Sequence, residues 1–307
     1  MKIVIVGPGA MGCLLAAFLS KSKEEIWILD YKKERAEKIA QSGITLENAP
    51  GIIQAKPKCS SSANNIGLAD LVILCVKSYD TKKAILEVKT LVGENTSVLT
   101  LQNGIGNIEI IAEVVGNDRT IAGVTNLGVT LTDTGKTKLG GKGETVIGRL
   151  DGKMTVIMRS IREIFNKAGL ETKISRDIKG LLWSKLIINV GINALTAITR
   201  LNNGRLMEFE GTRRIMREAV TEAIRIAKRK RIKLTSDDPL AKVEAVSEAT
   251  SNNTSSMLQD ILHGKRTEID FINGVIVRLG QELRIPVPVN QMLVDLVKTI
   301  ESIPLNH

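Results

Sequence analysis

A lysine and two asparagines recur at four-residue spacing within a strongly apolar stretch, Leu181 to Ile198. Lys185, Asn189 and Asn193 drift by only roughly 80° around a helix axis, so they form one polar stripe. Burying an ammonium and two amides without partners costs free energy, and the other faces of this helix are apolar. The stripe therefore predicts a polar cavity or a bound ligand; the alternative is that it faces bulk solvent.

Glu268 offers a carboxylate at the start of a helix that is predicted to end at Leu283. Apolar residues share one helical face with it, namely Ile272, Val275, Ile276 and Leu279. This pattern predicts that the carboxylate begins a face that packs inward. The alternative is a solvated first-turn glutamate, which the helix dipole favours.

Histidine and cysteine are scarce, which narrows the chemistry. The only histidines are His263 and His307, and the three cysteines form no CxxC pair. We therefore expect neither a zinc site nor a disulfide framework, and we do not expect histidine to be the catalytic acid. A lysine can take that role, because an apolar setting lowers its pKa from ~10.4 toward neutrality.

The amino-terminal residues match the GxGxxG pattern directly after an apolar, β-branched strand. Six residues form this motif: Gly7, Pro8, Gly9, Ala10, Met11 and Gly12. In such a motif the first glycine makes a tight turn, the second lets the backbone approach a pyrophosphate, and the third lets helix and strand pack closely. The motif predicts a dinucleotide site at a helix N-terminus, with an unliganded glycine turn as the alternative.

The end of the second predicted strand bears on the cofactor's ribose. Asp30 stands there, and a carboxylate at this position binds a ribose 2′-hydroxyl and repels a 2′-phosphate. Lys32 and Lys33 follow and can hold that phosphate instead. All three side chains can also be plain surface residues, so the pattern leaves NADPH and NADH open.

These motifs need a parallel sheet to position them. Strands are predicted at Lys2–Val6, Ile26–Leu29, Leu71–Val76, Val98–Leu101 and Glu171–Ser175, and helices at Met11–Leu19, Lys32–Gln41 and Thr155–Ala168, with a helical stretch up to Leu91. A hairpin is expected within Ile44–Cys59, with its turn at residues 48–51. Antiparallel strands between Gly123 and Gly148 are expected to complete the sheet. This alternation predicts a doubly wound, Rossmann-type α/β domain over residues 1–174.

The remaining residues, 175–307, predict an all-helical domain that carries the stripe and Glu268. Its helices are expected at Ile178–Ile198, Leu206–Arg229, Pro239–Asn252, Met257–Leu262, Glu268–Leu283 and Asn290–Ile303. Ser255 and Ser256 precede one of these helices, and capping is the default role for such hydroxyls.

Composition excludes several classes of protein. Hydrophobic residues make up 43% and charged residues 25%, a globular balance. The net charge of +10 is spread along the chain with few aromatic residues, so we expect no nucleic-acid partner. The longest apolar run is interrupted by the polar stripe and the chain shows no signal-peptide pattern, so we expect no membrane partner and a cytoplasmic location. The oligomeric state stays open, with a homodimer as one option.

Taken together, the motifs resemble those of the ketopantoate reductase (2-dehydropantoate 2-reductase) family, within the 6-phosphogluconate dehydrogenase-like superfamily. The resemblance runs over almost the whole chain. It rests on the motif at Gly7–Gly12, Val76–Ser78, Leu101–Gly104, Trp183–Leu186 with Asn189 and Asn193, Asn203–Gly204, Ser255–Asp260, and Thr267–Asp270 with Asn273–Gly274.

The resemblance implies an NADPH-dependent reduction of 2-dehydropantoate to (R)-pantoate, on the route to pantothenate and coenzyme A. It implies that Lys185 is the general acid and that Glu268 binds substrate and assists catalysis. It assigns substrate contacts to Asn103, Asn189, Asn193, Asn203 and Ser256. Cofactor contacts fall to Gly7–Gly12, Asp30, Lys32, Lys77, Asn103 and Glu268. Family members often carry arginine just after the second strand, whereas this chain has Asp30 to Lys33, so NADH stays an alternative cofactor.

Two other functions stay open. One is a reductase that uses the same lysine mechanism on another branched 2-keto acid. The other is a non-catalytic dinucleotide-binding sensor, which has no need for a positioned proton donor such as Lys185.

Overall fold

The computed structural model describes residues 1–49, 51–141 and 143–303, and it divides into two units. The first unit comprises Met1–Gln102 and Asn107–Ile178, and the second comprises Asn103–Gly106 and Lys179–His307. Pro50, in the predicted hairpin turn, and His307 lie outside the described residues.

Twelve strands are found in the described part of the first unit. They are β1 (Lys2–Val6), β2 (Glu25–Leu29), β3 (Ile44–Ala49), β4 (Gly51–Ala55), β5 (Lys58–Ser60), β6 (Leu71–Leu74), β7 (Ser97–Thr100), β8 (Thr120–Thr125), β9 (Gly128–Asp133), β10 (Lys136–Gly141), β11 (Thr145–Gly148) and β12 (Thr172–Ile174). Its helices are α1 (Ala10–Leu19), α2 (Lys33–Ser42), α3 (Thr81–Glu87), α4 (Asn107–Val115) and α5 (Val156–Ala168).

The main sheet has the strand order β12-β11-β8-β7-β6-β1-β2-β5. Its neighbours pair in parallel except for β8 and β11, which are antiparallel. The order runs outward in both directions from β1 and β6, so these two strands flank the point where the winding reverses. Their apolar, β-branched sequences suit strands that are buried on both faces. The predicted Rossmann-type sheet is confirmed.

A second sheet corrects one prediction. Strands β9 and β10 do not complete the main sheet; they join the β3–β4 hairpin in a separate sheet of order β4-β3-β10-β9. Within it, β10 pairs in parallel with β3 and antiparallel with β9. The alternating sequence predicted these strands but not their pairing partners, because a strand with one apolar face can join either sheet.

The first helix, α1, packs against strands of both sheets. Its residues from Gly12 to Leu19 are all buried. Lying between two apolar faces explains why the helix is apolar all round, with no polar stripe of its own. The turn that begins this helix is therefore held rigidly by packing on two sides.

The second unit is helical. Its helices are α6 (Ile178–Thr199), α7 (Glu210–Arg229), α8 (Pro239–Ala249), α9 (Ser256–Leu262), α10 (Asn273–Leu283) and α11 (Pro288–Ser302). One core cluster of this unit draws apolar side chains from α6, α7, α10 and α11, among them Leu186, Val190, Val220, Ile276 and Val297. The predicted helical domain is confirmed.

Among the described residues, one helix, α6, is long and apolar enough to cross a membrane by length and composition alone. A buried core helix meets the same criterion, and 61% of its most apolar window is buried inside the protein. Side chains of α6 form part of the helical core, which accounts for the apolar composition of this helix.

Candidate active site

The glycine motif forms a tight turn between β1 and α1. Gly7 has a φ of +90°, and a Cβ there would lie 2.7 Å from the Val76 side chain. At Gly12 a Cβ would lie 2.2 Å from the Gly7 carbonyl oxygen. These two positions therefore require glycine, because any side chain would push the helix away from the strand.

The space above the turn is open at Gly9, where a Cβ would meet nothing within 4 Å. The first hydrogen bond of α1 joins the Cys13 N–H to the Gly9 carbonyl at 2.9 Å. The N–H groups of the three residues between them therefore have no partner within the helix, and they point beyond its N-terminus. Open backbone beside these N–H groups fits the pyrophosphate of a dinucleotide.

The carboxylate of Asp30 at the end of β2 is fully buried and already paired. The Arg35 guanidinium binds both of its oxygens, with Nε donating to Oδ2 and Nη2 to Oδ1 at 2.8 Å. The backbone N–H of Lys32 donates to Oδ1 at 3.1 Å. Asp30 therefore orients Arg35 and the loop after β2, and its charge is balanced within the protein.

Cationic side chains lie beside Tyr31, which follows Asp30. The Tyr31 ring is 53% exposed. The Lys83 ammonium lies 5.2 Å from the ring centroid and the Arg35 guanidinium 6.0 Å from it. Lys32 and Lys33 are exposed beside them. The loop after β2 therefore presents an aromatic face flanked by positive charge.

Gln102, to which the sequence assigned no role in the site, ties the ends of β6 and β7 together. Its side-chain amide donates to the Val76 carbonyl and to the Thr81 hydroxyl, both at 2.8 Å. Thr81 in turn donates to Asn107 at 2.8 Å. The network fixes the backbone just before Lys77, a partly buried residue at the winding reversal. The sequence could have pointed to Gln102, because it is a polar residue that directly follows a buried strand.

The polar stripe on α6 does not face bulk solvent. Lys185 and Asn189 are partly buried, and Asn193 is 6% exposed. Burial lowers the pKa of Lys185 to about 8, while the interaction with Glu268 acts in the opposite direction. The Lys185 amine can therefore gain and release a proton close to neutral pH.

Glu268 is buried, but the helix that it was predicted to begin starts later. A 3₁₀ turn covers Ile269–Phe271, and α10 begins at Asn273. The intervening Ile272 has φ −110° and ψ −90°, outside the helical region, and this interrupts the run. The prediction of a continuous helix was wrong. The apolar spacing continues through the 3₁₀ turn, whose pitch is similar to that of an α-helix, so the sequence does not show the break. Glu268 is only 6% exposed, so it is not a solvated first-turn residue.

Asn103 belongs to the second unit although the strand before it belongs to the first. The Ile105 N–H donates to the Phe271 carbonyl at 3.1 Å. Gly104 has a φ of +85°, and a Cβ there would lie 2.4 Å from the Phe271 carbonyl oxygen. The segment carrying Asn103 is therefore joined to the turn that follows Glu268.

Asn203 presents a buried acceptor. Its Nδ2 donates to the Thr250 hydroxyl at 2.9 Å, and its carbonyl accepts from the Ser247 hydroxyl at 2.6 Å. Its side-chain oxygen is buried and accepts no hydrogen bond from the described residues. The side chain is thus held in place, and its oxygen can still accept a hydrogen bond.

Ser255, not Ser256, caps α9. The Ser255 hydroxyl accepts from the Leu258 N–H at 3.1 Å and lies 2.7 Å from the Thr196 hydroxyl of α6. Thr196 also donates to the Asn193 carbonyl at 2.9 Å. The start of α9, with the partly buried Ser256, is thereby fixed against the end of the stripe.

The predicted residues therefore fall into two sets. The first unit holds the glycine turn, Asp30, Lys32 and Lys77. The second unit holds Lys185, Asn103, Asn189, Asn193, Asn203, Ser256 and Glu268.

Two family models match the chain. The model described as "Ketopantoate reductase PanE/ApbA" matches residues 3–152, and "Ketopantoate reductase PanE/ApbA C terminal" matches residues 177–301. Together they cover most of both units.

Individual relatives agree with these models. A 2-dehydropantoate 2-reductase of Pyrococcus horikoshii is 37% identical over 99% of this chain and 98% of its own. The crystal structure of a PanE/ApbA family ketopantoate reductase from Ralstonia eutropha JMP134 is 36% identical, with a TM-score of 0.91 and 98% of each chain covered. A D-mandelate dehydrogenase solved with NADH and anilino(oxo)acetate is 27% identical, with a TM-score of 0.91 and 98% of each chain covered.

Replacing Glu268 by glutamine is expected to lower the pKa of Lys185 below about 8, because the interaction that raises it is removed while burial remains. A pH titration of the lysine side chains by NMR measures this, with the Lys185 signal assigned from a Lys185→Arg variant. Glu282→Gln is the matched control, since Glu282 is an exposed residue of α10 and should leave the titration unchanged. An unchanged Lys185 titration in Glu268→Gln would contradict the prediction.

Proposed function

The chain belongs to the ketopantoate reductase family, and from this premise we propose that it reduces 2-dehydropantoate to (R)-pantoate with a nicotinamide dinucleotide. One observation carries the proposal: a partly buried lysine on an apolar helix, its pKa lowered to about 8, interacts with a buried glutamate. A 2-keto acid needs a proton at its carbonyl oxygen when a hydride arrives at C2, and this lysine can supply it.

Lys185 is the general acid in this proposal. With a pKa of about 8, it is protonated in roughly nine molecules of ten at pH 7. Its ammonium stabilises the negative charge that develops on the substrate oxygen and then transfers a proton to it. The product is a 2-hydroxy acid and a neutral lysine, which takes up a proton again from water.

The remaining polar groups of the second unit hold the substrate. The amides of Asn189 and Asn193 can donate to its carboxylate. Asn203 keeps a buried oxygen that can accept from its hydroxyl group. Ser256, Asn103 and Glu268 complete the set of proposed contacts, and Glu268 also acts on the protonation of Lys185.

The first unit fits a dinucleotide, because open backbone at Gly9 lies beside the N–H groups at the start of α1, which have no partner within the helix. When bound, the dinucleotide supplies the hydride. We propose that Gly7–Gly12 hold its pyrophosphate and that Lys77 contacts it at the end of β6. The hydrogen bonds of Gln102 keep this edge of the sheet in place.

Lys185→Met is expected to lower kcat/KM for 2-dehydropantoate by about 100- to 10,000-fold, the usual range for a lost general acid. In the unmodified protein, kcat/KM is expected to fall above pH 8, because Lys185 loses its proton there. Steady-state assays across a range of pH measure both effects.

Lys179→Met is the matched control for that experiment. Lys179 is an exposed lysine on the same helix, so its loss should leave the rate unchanged. Turnover by Lys185→Met at the rate of the unmodified protein would remove Lys185 from the mechanism. Failure of the unmodified protein to reduce 2-dehydropantoate with either cofactor would overturn the proposed function itself.

We further propose that NADPH is the preferred cofactor. The Asp30 carboxylate that could select NADH is buried and paired with Arg35. Two exposed lysines suit the 2′-phosphate of NADPH: Lys32, two residues after Asp30, and Lys83 of α3, whose ammonium lies beside the Tyr31 ring. The proposal thus assigns Asp30 the task of orienting Arg35.

Lys32→Ala and Lys83→Ala are each expected to lower kcat/KM for NADPH about tenfold, with little change for NADH, because a charge-assisted hydrogen bond to phosphate contributes on the order of 1.5 kcal/mol. Lys38→Ala is the control, since this exposed lysine of α2 pairs with Asp133. Faster turnover with NADH than with NADPH in the unmodified protein would contradict the preference.

A second candidate is the reduction of another 2-keto acid. It is favoured by the likeness to a D-mandelate dehydrogenase, which was solved with NADH and anilino(oxo)acetate. A comparison of kcat/KM for 2-dehydropantoate with that for branched and aromatic 2-keto acids distinguishes the two candidates. A preference of at least tenfold for 2-dehydropantoate is expected, and a preference for another keto acid would favour the second candidate.

The proposed location is the cytoplasm. All three cysteines are free thiols, and burial raises the pKa values of Cys13 and Cys75 to about 12. Thiols of this kind persist in a reducing compartment.

A further inference from the structure

Hydrogen bonds among buried side chains connect four helices of the second unit, and the catalytic proposal does not use them. They start at Glu222 of α7, which is 4% exposed. Its carboxylate accepts from the backbone N–H groups of Val289 at 3.0 Å and Asn290 at 2.9 Å, in the first turn of α11. The Glu222 carboxylate thereby caps α11 and balances the positive end of that helix.

Glu222 also fixes the orientation of the next side chain. The Asn290 Nδ2 donates to Glu222 Oε2 at 2.7 Å and to the Ala219 carbonyl at 3.0 Å. Because both partners only accept, the amide nitrogen of Asn290 must face them and its oxygen must face away. That oxygen accepts from Asn273 Nδ2 at 3.0 Å.

Hydrogen bonds also determine the orientation of the side-chain amide of Asn273, the first residue of α10. Its Nδ2 has one further hydrogen, which it donates to the Val190 carbonyl of α6 at 3.2 Å. Asn273 and Asn290 are both fully buried. The polarity of the whole series is therefore set by the carboxylate of Glu222, and its last contact is made on α6.

This last contact joins the two segments that carry the reactive groups. Val190 lies five residues after Lys185, and Asn273 lies five residues after Glu268. Between Glu268 and Asn273 the chain makes a 3₁₀ turn and one irregular residue, a short connection with little slack. Holding Asn273 against α6 therefore limits where Glu268 can lie relative to Lys185.

Packing alone does not explain an asparagine at this position. The Asn273 side-chain oxygen is buried and accepts no hydrogen bond from the described residues. Burying such an acceptor is unfavourable, and an apolar residue of similar size would avoid the cost. The amide is better explained by the specific contact that its nitrogen makes.

We propose that Asn273, oriented by Asn290 and Glu222, is a positioning residue that holds Glu268 at its working distance from Lys185. The proposal rests on the proposed function for its role in turnover. The placement of Glu268 beside Lys185, which the proposal also concerns, does not depend on which keto acid is reduced.

Asn273→Ala and Asn273→Leu test the proposal. Leucine keeps the branching and the number of side-chain heavy atoms of asparagine but forms no hydrogen bonds, and alanine removes the amide without adding volume. Both are expected to lower kcat about tenfold. Both are also expected to move the alkaline limb of kcat/KM to lower pH by about half a unit, because Glu268 raises the pKa of Lys185 and would act more weakly from a greater distance. Steady-state kinetics across pH measure both effects.

Val297→Ala is the matched control. Val297 is a fully buried residue of α11 in the same core, and it has no part in these hydrogen bonds. The variant should unfold more easily while keeping the kcat and the pH profile of the unmodified protein. If the Asn273 variants behave like Val297→Ala, Asn273 is merely structural and the proposal is overturned.

The proposal and the proposed function can fail separately. An unmodified protein that does not reduce 2-dehydropantoate overturns the function. The pKa of Lys185, measured by NMR titration in Asn273→Leu, then tests the positioning without any substrate. A lower pKa than in the unmodified protein supports the proposal, and an unchanged pKa overturns it.

Discussion

A lysine that loses water on an apolar helix stays protonated only if a nearby group stabilises its positive charge. In the second unit this lysine is Lys185. Burial of Lys185 favours the neutral amine, and the nearby charge of Glu268 favours the ammonium. Burial has the larger effect, so the pKa of Lys185 lies at about 8, below the ordinary value of a lysine. The turn after Glu268 is joined to the segment of Asn103, and the amide of Asn273 fastens α10 to α6.

Features that depend on local sequence could be predicted from it. The strands β1 and β6 are short, β-branched apolar runs, and this pattern is typical of buried parallel strands. The glycine motif also follows from local geometry, since Gly7 and Gly12 leave no room for a side chain. The stripe on α6 was recognisable because polar residues at helical spacing conflict with an otherwise apolar helix.

Features that depend on tertiary partners could not be predicted. Strands β9 and β10 alternate apolar and polar residues, and nothing in that pattern determines which of the two sheets they join. The sequence left the role of Asp30 open, and it did not reveal that Arg35, five residues further on, pairs with the Asp30 carboxylate. The start of α10 was misplaced because a 3₁₀ turn keeps apolar side chains on nearly the same face as an α-helix.

The chain leaves the first unit after Gln102, contributes four residues to the second, and returns at Asn107. The units are therefore not consecutive pieces of the polypeptide. A fragment cut after Ile178 would contain Gly104 and Ile105 without Phe271, the residue whose carbonyl they pack against. A fragment starting at Lys179 would lack this short segment entirely. Protein dissection at the apparent boundary would thus yield two incomplete halves, and a separately expressed helical half would need residues 103–106 supplied on a linker to be whole.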